Sequence, residues 1–246
     1  MFEVAMPQLR AGQRIYAVGD IHGRADLLKA LLSRIRADLQ HFPVDHAELI
    51  FLGDYLSRGP DSAAVLDLLI EEAPRLPLSV TYLKGNHEDT VLSFLDGDLQ
   101  MARTWLQYGG RAALASYGVP PVSAEPSDEE LERLRVALSK AIPARHQQFL
   151  RSLAVSAERD DYVFVHAGLR PGRALAEQTP HDLMWIREEF LAHTGRFERV
   201  VVHGHSPVAL PEVRRNRINV DTGAYASSIL TSVVLTGSER RFLATT

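Results

Sequence analysis

Apolar and polar positions along this chain follow two alternating rhythms. Residues 14–19 (RIYAVG) form a short β-branched and aromatic run, read as a buried first strand. Beyond a polar turn, Leu27, Leu31, Ile35 and Leu39 recur every fourth residue with Leu28 and Leu32 beside them. That spacing predicts an amphipathic helix ending near Phe42-Pro43. The unit then repeats. A strand over 48–52 runs into a polar turn over 53–62. Pro60 suits the first turn of the helix behind it, and Val65, Leu66, Leu69 and Ile70 give that helix its buried stripe. Pro74 and Pro77 break it, and a third strand over 79–83 meets Gly85-Asn86-His87-Glu88 at another helix entry. Strand, polar turn and helix, three times over, predict an α/β sheet whose ligand site lies at the carboxyl ends of its strands.

From 96 to about 153 the pattern becomes helical. Gly109-Gly110 marks a bend among Trp105, Leu106, Leu114 and Tyr117, and a Pro-rich loop covers 120–126. Ser127 with Glu130 three residues later is a capping-box pattern, and Leu131, Leu134 and Leu138 continue the helix behind it. The loop leads straight into this helix, unlike a domain linker, so 96–153 reads as a helical insertion on the main sheet and 1–246 as a single domain. The remainder is mostly strand, over 162–165, 199–202, 217–220 and 229–235, with the last pairing to 241–244. Between them, Leu183 to Glu188 predicts a helix or turn that sets Arg187 close to Trp185.

Composition narrows the chemistry. The chain has 246 residues, a formal charge of -4 and no lysine- or arginine-rich block, so no extended nucleic-acid surface is expected. With no cysteine, thiolate metal sites and disulfides are excluded, and any metal must be held by His, Asp, Glu or Asn. The first seven residues lack the basic and apolar blocks of a secretory signal. No apolar run approaches the ~20 residues that span a bilayer. A cytoplasmic protein without membrane contact is expected; the sequence assigns no oligomeric state.

Metal-type donors collect at the strand ends: Asp20, His22, Asp54, Asn86, His166 and His205. Each follows a β-type run and stands beside glycine or another turn residue. Buried carboxylates without partners cost several kcal/mol, and two divalent cations would satisfy the whole set. By contrast, His41, His46, His146, His181 and His193 lie outside the pattern and read as surface residues.

The blocks GDIHG (19–23), GDYLSRG (53–59), GNHE (85–88), HAG (166–168) and HGHSP (203–207) resemble the signature of the calcineurin-like metallophosphoesterases. They are most similar to the phosphoprotein phosphatase branch and its small bacterial serine/threonine phosphatases. The resemblance implies a four-layer α/β/β/α sandwich and hydrolysis of phosphate monoesters by a water bridging two divalent metals. Mn²⁺ is the ion it favours, while Fe, Zn or Co suit the same donors. It implies that Asp20 and His22 hold one metal, that Asp54 bridges, and that Asn86, His166 and His205 hold the other. His87 would be the general acid, and Arg58 and Arg187 would bind the phosphate, with Asn86 beside them. Asp221 and His203 would support the site without ligating. The substrate implied is a phosphorylated protein or a small phosphoester.

Position 57 departs from the pattern. The branch usually carries aspartate there, pairing with the histidine of GNHE, and this chain has Ser57. Without that carboxylate His87 is expected to be less often protonated and less firmly held, weakening acid catalysis, and general acid help is worth ~10²–10⁴-fold. An alkyl leaving group such as serine suffers most, a phosphoanhydride least. Diadenosine tetraphosphate hydrolysis is therefore the alternative activity, with phosphodiester cleavage a third. Glu88 and HGHSP look more like the protein phosphatases.

Overall fold

The computed structural model describes residues 6–245; residues 1–5, most of the stretch read as lacking a secretory signal, and residue 246 lie outside it. The strands are β1 (Gln13–Val18), β2 (His46–Phe51), β3 (Ser79–Tyr82), β4 (Ser156–Arg159), β5 (Tyr162–Val165), β6 (Val200–His203), β7 (Glu212–Val213), β8 (Arg217–Asn219), β9 (Thr231–Thr236) and β10 (Glu239–Ala244). The helices of the first half are α1 (Ala25–His41), α2 (Ser62–Glu71), α3 (Asn86–Leu95), α4 (Leu99–Trp105), α5 (Arg111–Ser116), α6 (Asp128–Ala141) and α7 (Ala144–Ser152). Three short ones follow: α8 (Pro180–Trp185), α9 (Glu188–Leu191) and α10 (Ala224–Ser227).

Two five-stranded sheets form, in the orders β10-β9-β1-β2-β3 and β4-β5-β6-β8-β7. β1, β2 and β3 run parallel in the first sheet, and β5, β6 and β8 in the second; the outer strands are antiparallel. Alternation along the strands explains why the sheets stack. Ile15, Ala17, Ile50, Leu52, Val233 and Leu235 point to one side and pack against Phe164, Val202, Ile218 and Val220 of the second sheet. Tyr16, Val18, Leu49 and Phe51 point to the other side, against α1, α2, α3 and the helices over 99–152. Val163, Val165 and Val201 face outward from the second sheet onto Leu183, Ile186 and Phe190. Helix, sheet, sheet and helix layers result, the sandwich expected. No helix among the described residues is long and apolar enough to cross a membrane.

The helical stretch joins the first sheet's helices in one core through Trp105, Leu131, Leu134 and Leu138. Ser127 Oγ accepts the Glu130 N–H at 3.2 Å while Glu130 accepts the Ser127 N–H at 3.0 Å, completing the capping box. Two strands went unread: β4 and β7 are short and polar, and pairing rather than pattern makes them strands. His146 is a correction as well. It is buried, its Nε2 2.8 Å from Asp67 Oδ1 and its Nδ1 3.0 Å from the Tyr117 hydroxyl. Only the packing of α7 against α2 and the end of α5 brings those partners together.

β1, β10 and α1 are joined by a polar knot. Tyr16 donates to Asp38 at 2.5 Å, Arg241 donates to the same oxygen at 2.5 Å, and Arg14 stands 3.6 Å away. Burial, then the bond to Asp38, pushes the Tyr16 hydroxyl up to about 12. Asp38→Ala leaves this hydroxyl without its acceptor and is expected to destabilise the fold by about 2 kcal/mol. Urea denaturation should show a lower midpoint with an unchanged slope, whereas Tyr16→Phe should cost about 1 kcal/mol.

Candidate metal centre and cleft

Every predicted donor comes from the carboxyl end of a strand. Asp20 and His22 follow β1, Asp54 follows β2, Asn86 and His87 open α3 behind β3, His166 follows β5 and His205 follows β6. Asp20, His22, Asp54, His87, His166 and His205 are all buried. His22, Asp54, Ser57, Arg58 and His205 hold positive φ values, between 46° and 73°. Such left-handed non-glycine residues cost roughly 1–3 kcal/mol each and persist only where their surroundings over-determine them.

Asp54 divides the donors into two sets. Its Oδ2 lies 3.4 Å from His22 Nε2, with Asp20 Oδ2 3.9 Å from the same nitrogen. Its Oδ1 lies 3.5 Å from His166 Nε2, which is 3.0 Å from Asn86 Oδ1 and 3.1 Å from His205 Nδ1. Two groups of ligand atoms therefore could hold metal ions, His22, Asp54 and His87 on one side and Asp54, His166 and His205 on the other. The inclusion of His87, whose Nε2 is 3.9 Å from Asp54 Oδ2, was not foreseen. Asp20 turns its carboxylate partly elsewhere, accepting the His205 N–H at 3.1 Å and 3.2 Å. Gly204 allows that approach, since a Cβ there would collide with Asp20 Oδ1.

The tautomers are set from behind. His22 and His166 each direct Nδ1 to a backbone carbonyl, Leu56 and Leu52, at 2.9 Å. Nε2 is thereby left unprotonated toward Asp54, the form a metal ligand needs. Burial raises the Asp54 carboxyl to about 7 and raises Asp20 as well, with the charges of Asp221 and Asp54 adding to the latter. Burial also lowers His22 and His205, and takes His166 down to about 4. His205 Nε2 is buried without a hydrogen-bond partner. Clustered carboxylates that resist ionisation, imidazoles that resist protonation and an orphaned ring nitrogen fit divalent cations well.

Glu88 was noted in the sequence only for comparing branches, and the structure gives it a larger task. Its Oε1 accepts the N–H groups of Tyr55 at 2.9 Å and Leu56 at 3.2 Å. Its Oε2 accepts those of Asp54 at 2.8 Å and Gly85 at 3.0 Å. An acid in the first turn of a helix was the available signal, and it accounts for the Gly85 bond, but the other three partners lie more than 30 residues away.

Beside the donors opens a cleft of about 550 Å³, lined by Arg58, Asn86, His87, Trp105, Tyr108, Trp185, Arg187 and neighbours. Both predicted phosphate arginines thus face it. Arg58 places its guanidinium 4.6 Å from the Tyr225 ring centre, and Tyr225 sets its edge against His22 at 5.4 Å. Burial, then the positive charge of Arg58, takes His87 down to about 3, and its Nδ1 has no hydrogen-bond partner. Ser57 does not replace the missing carboxylate: its hydroxyl accepts the Trp105 indole N–H at 2.8 Å. Trp105, Tyr108, Trp185 and Tyr225 were not singled out as site residues, because an aromatic on a helix or turn reads first as core. Asp221 accepts the Gly223 N–H at 2.9 Å, and His203 packs edge-on to Phe190 at 4.9 Å, both buried behind the donors.

Residues 13–230 match the model of the calcineurin-like phosphoesterase family. Among curated relatives, a protein of Halalkalibacterium halodurans named bis(5'-nucleosyl)-tetraphosphatase PrpE, asymmetrical, is 25% identical, covering 88% of this chain and 87% of its own. The symmetrical bis(5'-nucleosyl)-tetraphosphatase of an Acidovorax species is 33% identical over 76% of this chain and 51% of its own. A crystal structure provisionally described as a diadenosine tetraphosphatase superposes with a TM-score of 0.63 at 20% identity, covering 98% of both chains.

The Glu88 arrangement is directly testable. Glu88→Gln keeps the shape but turns one acceptor into a donor facing two N–H groups. A destabilisation of about 3 kcal/mol is expected, because a buried donor is left unsatisfied. Urea denaturation reads the loss of stability, and turnover by the variant should fall with the displaced Asp54 loop.

Proposed function

The chain belongs to the calcineurin-like phosphoesterase family, and from that premise we propose that it hydrolyses dinucleoside polyphosphates, with diadenosine tetraphosphate as reference substrate. In this reading Asp20, His22, Asp54, Asn86, His166 and His205 hold two divalent cations, Mn²⁺ first among the candidates. One domain carries the site, acting on solutes of the cytoplasm. When bound, the cations activate water for attack on phosphorus and neutralise charge on the phosphoryl oxygens.

The observation that carries the choice of substrate is the His87 side chain, whose Nδ1 has no carboxylate beside it. A serine or threonine leaving group departs as an alkoxide and needs a proton from a well-held acid. A nucleotide phosphate departs as a stable anion and does not. Arg58 and Arg187 suit the polyphosphate, since a guanidinium fork matches phosphate geometry. Trp185 and Tyr108, on the cleft wall, offer rings on which a base can stack. The relatives named as tetraphosphatases favour the same reading over the phosphomonoesterase one. Protein phosphatase activity stands second, on the GNHE and HGHSP blocks.

Side-by-side assay with Mn²⁺ decides between them. Diadenosine tetraphosphate is expected to exceed a phosphoserine peptide in kcat/KM by ~100-fold, the lower end of general acid help, with bis-p-nitrophenyl phosphate as the diester control that needs no acid. Equal or better cleavage of the phosphopeptide would overturn the proposal. Chelation should abolish turnover and added Mn²⁺ restore it. Asp54→Asn should bind less metal by elemental analysis and stay inactive at any loading; unchanged metal content would show that Asp54 does not bridge.

A further inference from the structure

The cleft wall contains a deformed helix, two of whose polar groups bond to one loop. After α4, residues 106–110 form a wide π-type turn with non-helical angles at Tyr108 (φ −97°, ψ 25°) and Gly109 (φ 103°, ψ 10°). This deformation frees the Gly109 carbonyl to accept the Arg58 N–H at 3.0 Å. One turn earlier, Trp105 donates its indole N–H to Ser57 Oγ at 2.8 Å. Trp105 is only 2% exposed and leans on Gly110, where an added Cβ would stand 2.5 Å from its ring. Gly109 is equally confined: a Cβ there would lie 2.7 Å from the Arg58 nitrogen. The loop so gripped is the pair Ser57 and Arg58, both left-handed at φ 73° and 66°.

We propose that Trp105 and the kink behind it position Arg58 for substrate phosphate, with Ser57 recruited as their anchor. The proposal rests on Arg58 being the phosphate arginine of the reading above. Of the two adjacent left-handed residues, Ser57 is also held locally, its N–H on Ser62 Oγ at 3.0 Å. The kink adds one bond to each: Ser57 Oγ accepts the Trp105 indole N–H, and the Arg58 N–H donates to the Gly109 carbonyl. The remaining contacts of the arginine confirm the need. Its Nε is buried without a partner, and Tyr225 supplies only a ring face, so neither fixes the fork by hydrogen bonding. Ser57 then has a reason of its own: its short hydroxyl accepts the indole N–H that ties the helical stretch to the phosphate site.

Trp105 also lines the cleft, so direct contact with substrate is the competing explanation, and a mutant cycle separates the two. Trp105→Phe removes the donor and keeps most of the ring; Ser57→Ala removes the acceptor and leaves Trp105 in place. Binding of inorganic phosphate to the Mn²⁺-loaded protein is measured by calorimetry, together with KM and kcat for diadenosine tetraphosphate and p-nitrophenyl phosphate. Each single variant is expected to weaken phosphate binding about fivefold, as loss of one hydrogen bond predicts. The double variant should be no worse than either. In an Arg58→Ala background neither change should matter. A Trp105→Phe effect equally large in that background, or wild-type phosphate binding by Trp105→Phe, overturns the proposal. If Arg58→Ala fails to fold, emission decides. The chain has two tryptophans, so in a Trp185→Phe background Ser57→Ala should shift Trp105 emission and weaken phosphate binding together. A shift without weaker binding overturns the proposal. Failure of the tetraphosphatase reading appears separately, as absent dinucleotide turnover with phosphate binding and its mutant cycle intact.

Discussion

One buried carboxylate holds the centre of this protein. Glu88 accepts four backbone N–H groups, from Asp54, Tyr55, Leu56 and Gly85, and so locks the end of β2 to the entry of α3. Hydrogen bonds to a charged group contribute roughly 1.5–3 kcal/mol each, comparable to or larger than the cost of one left-handed residue. The strained geometry of Asp54 at φ 53° is stable on those terms. With Asp54 held, its two oxygens face different histidines, and the remaining donors need only arrive at their own strand ends.

Those strand ends come from both sheets, which is why the stacking of two apolar faces matters to chemistry. His166 and His205 stand on the second sheet, and His22, Asp54 and Asn86 on the first. The layer of Ile15, Ala17, Ile50, Leu52, Phe164, Val202 and Val220 sets their spacing. The His205 N–H on Asp20 and the His166 imidazole against Asn86 are polar links across that seam. The helical stretch over 99–152 closes the remaining side. It lends the cleft Trp105 and Tyr108, and it supplies the indole and carbonyl that reach Ser57 and Arg58. Position 57 thereby joins the cleft to the architecture: the residue that leaves His87 without a carboxylate is also the one that ties the helices to the loop carrying Arg58.

Much of this was legible in the chain alone, where the determining interactions are local. Period-2 alternation in β1 and β2 and the fourfold leucine spacing of α1 announce elements whose burial is repeated within a few residues. The capping box at Ser127 closes over three positions. The six donors could be listed because each stands just after a strand, so a short motif marks it without knowledge of its partners. The resemblance carried by those blocks extended the list to a sandwich and a phosphoesterase.

What the tertiary structure decided lies between residues distant in sequence. That Asp54 faces two ways, that Glu88 binds three amides of the 54–56 loop, that His146 is buried and that Ser57 answers Trp105 across 48 positions all depend on packing. No periodicity encodes such contacts, because a hydrogen bond between two loops leaves no regular spacing in either. The opening pair Asp20 and His22 shows the division well. Its chemistry is plain from residue type and a turn of glycines. Its meaning depends on two sheets bringing four other strand ends within a few ångströms, which only the folded chain can do.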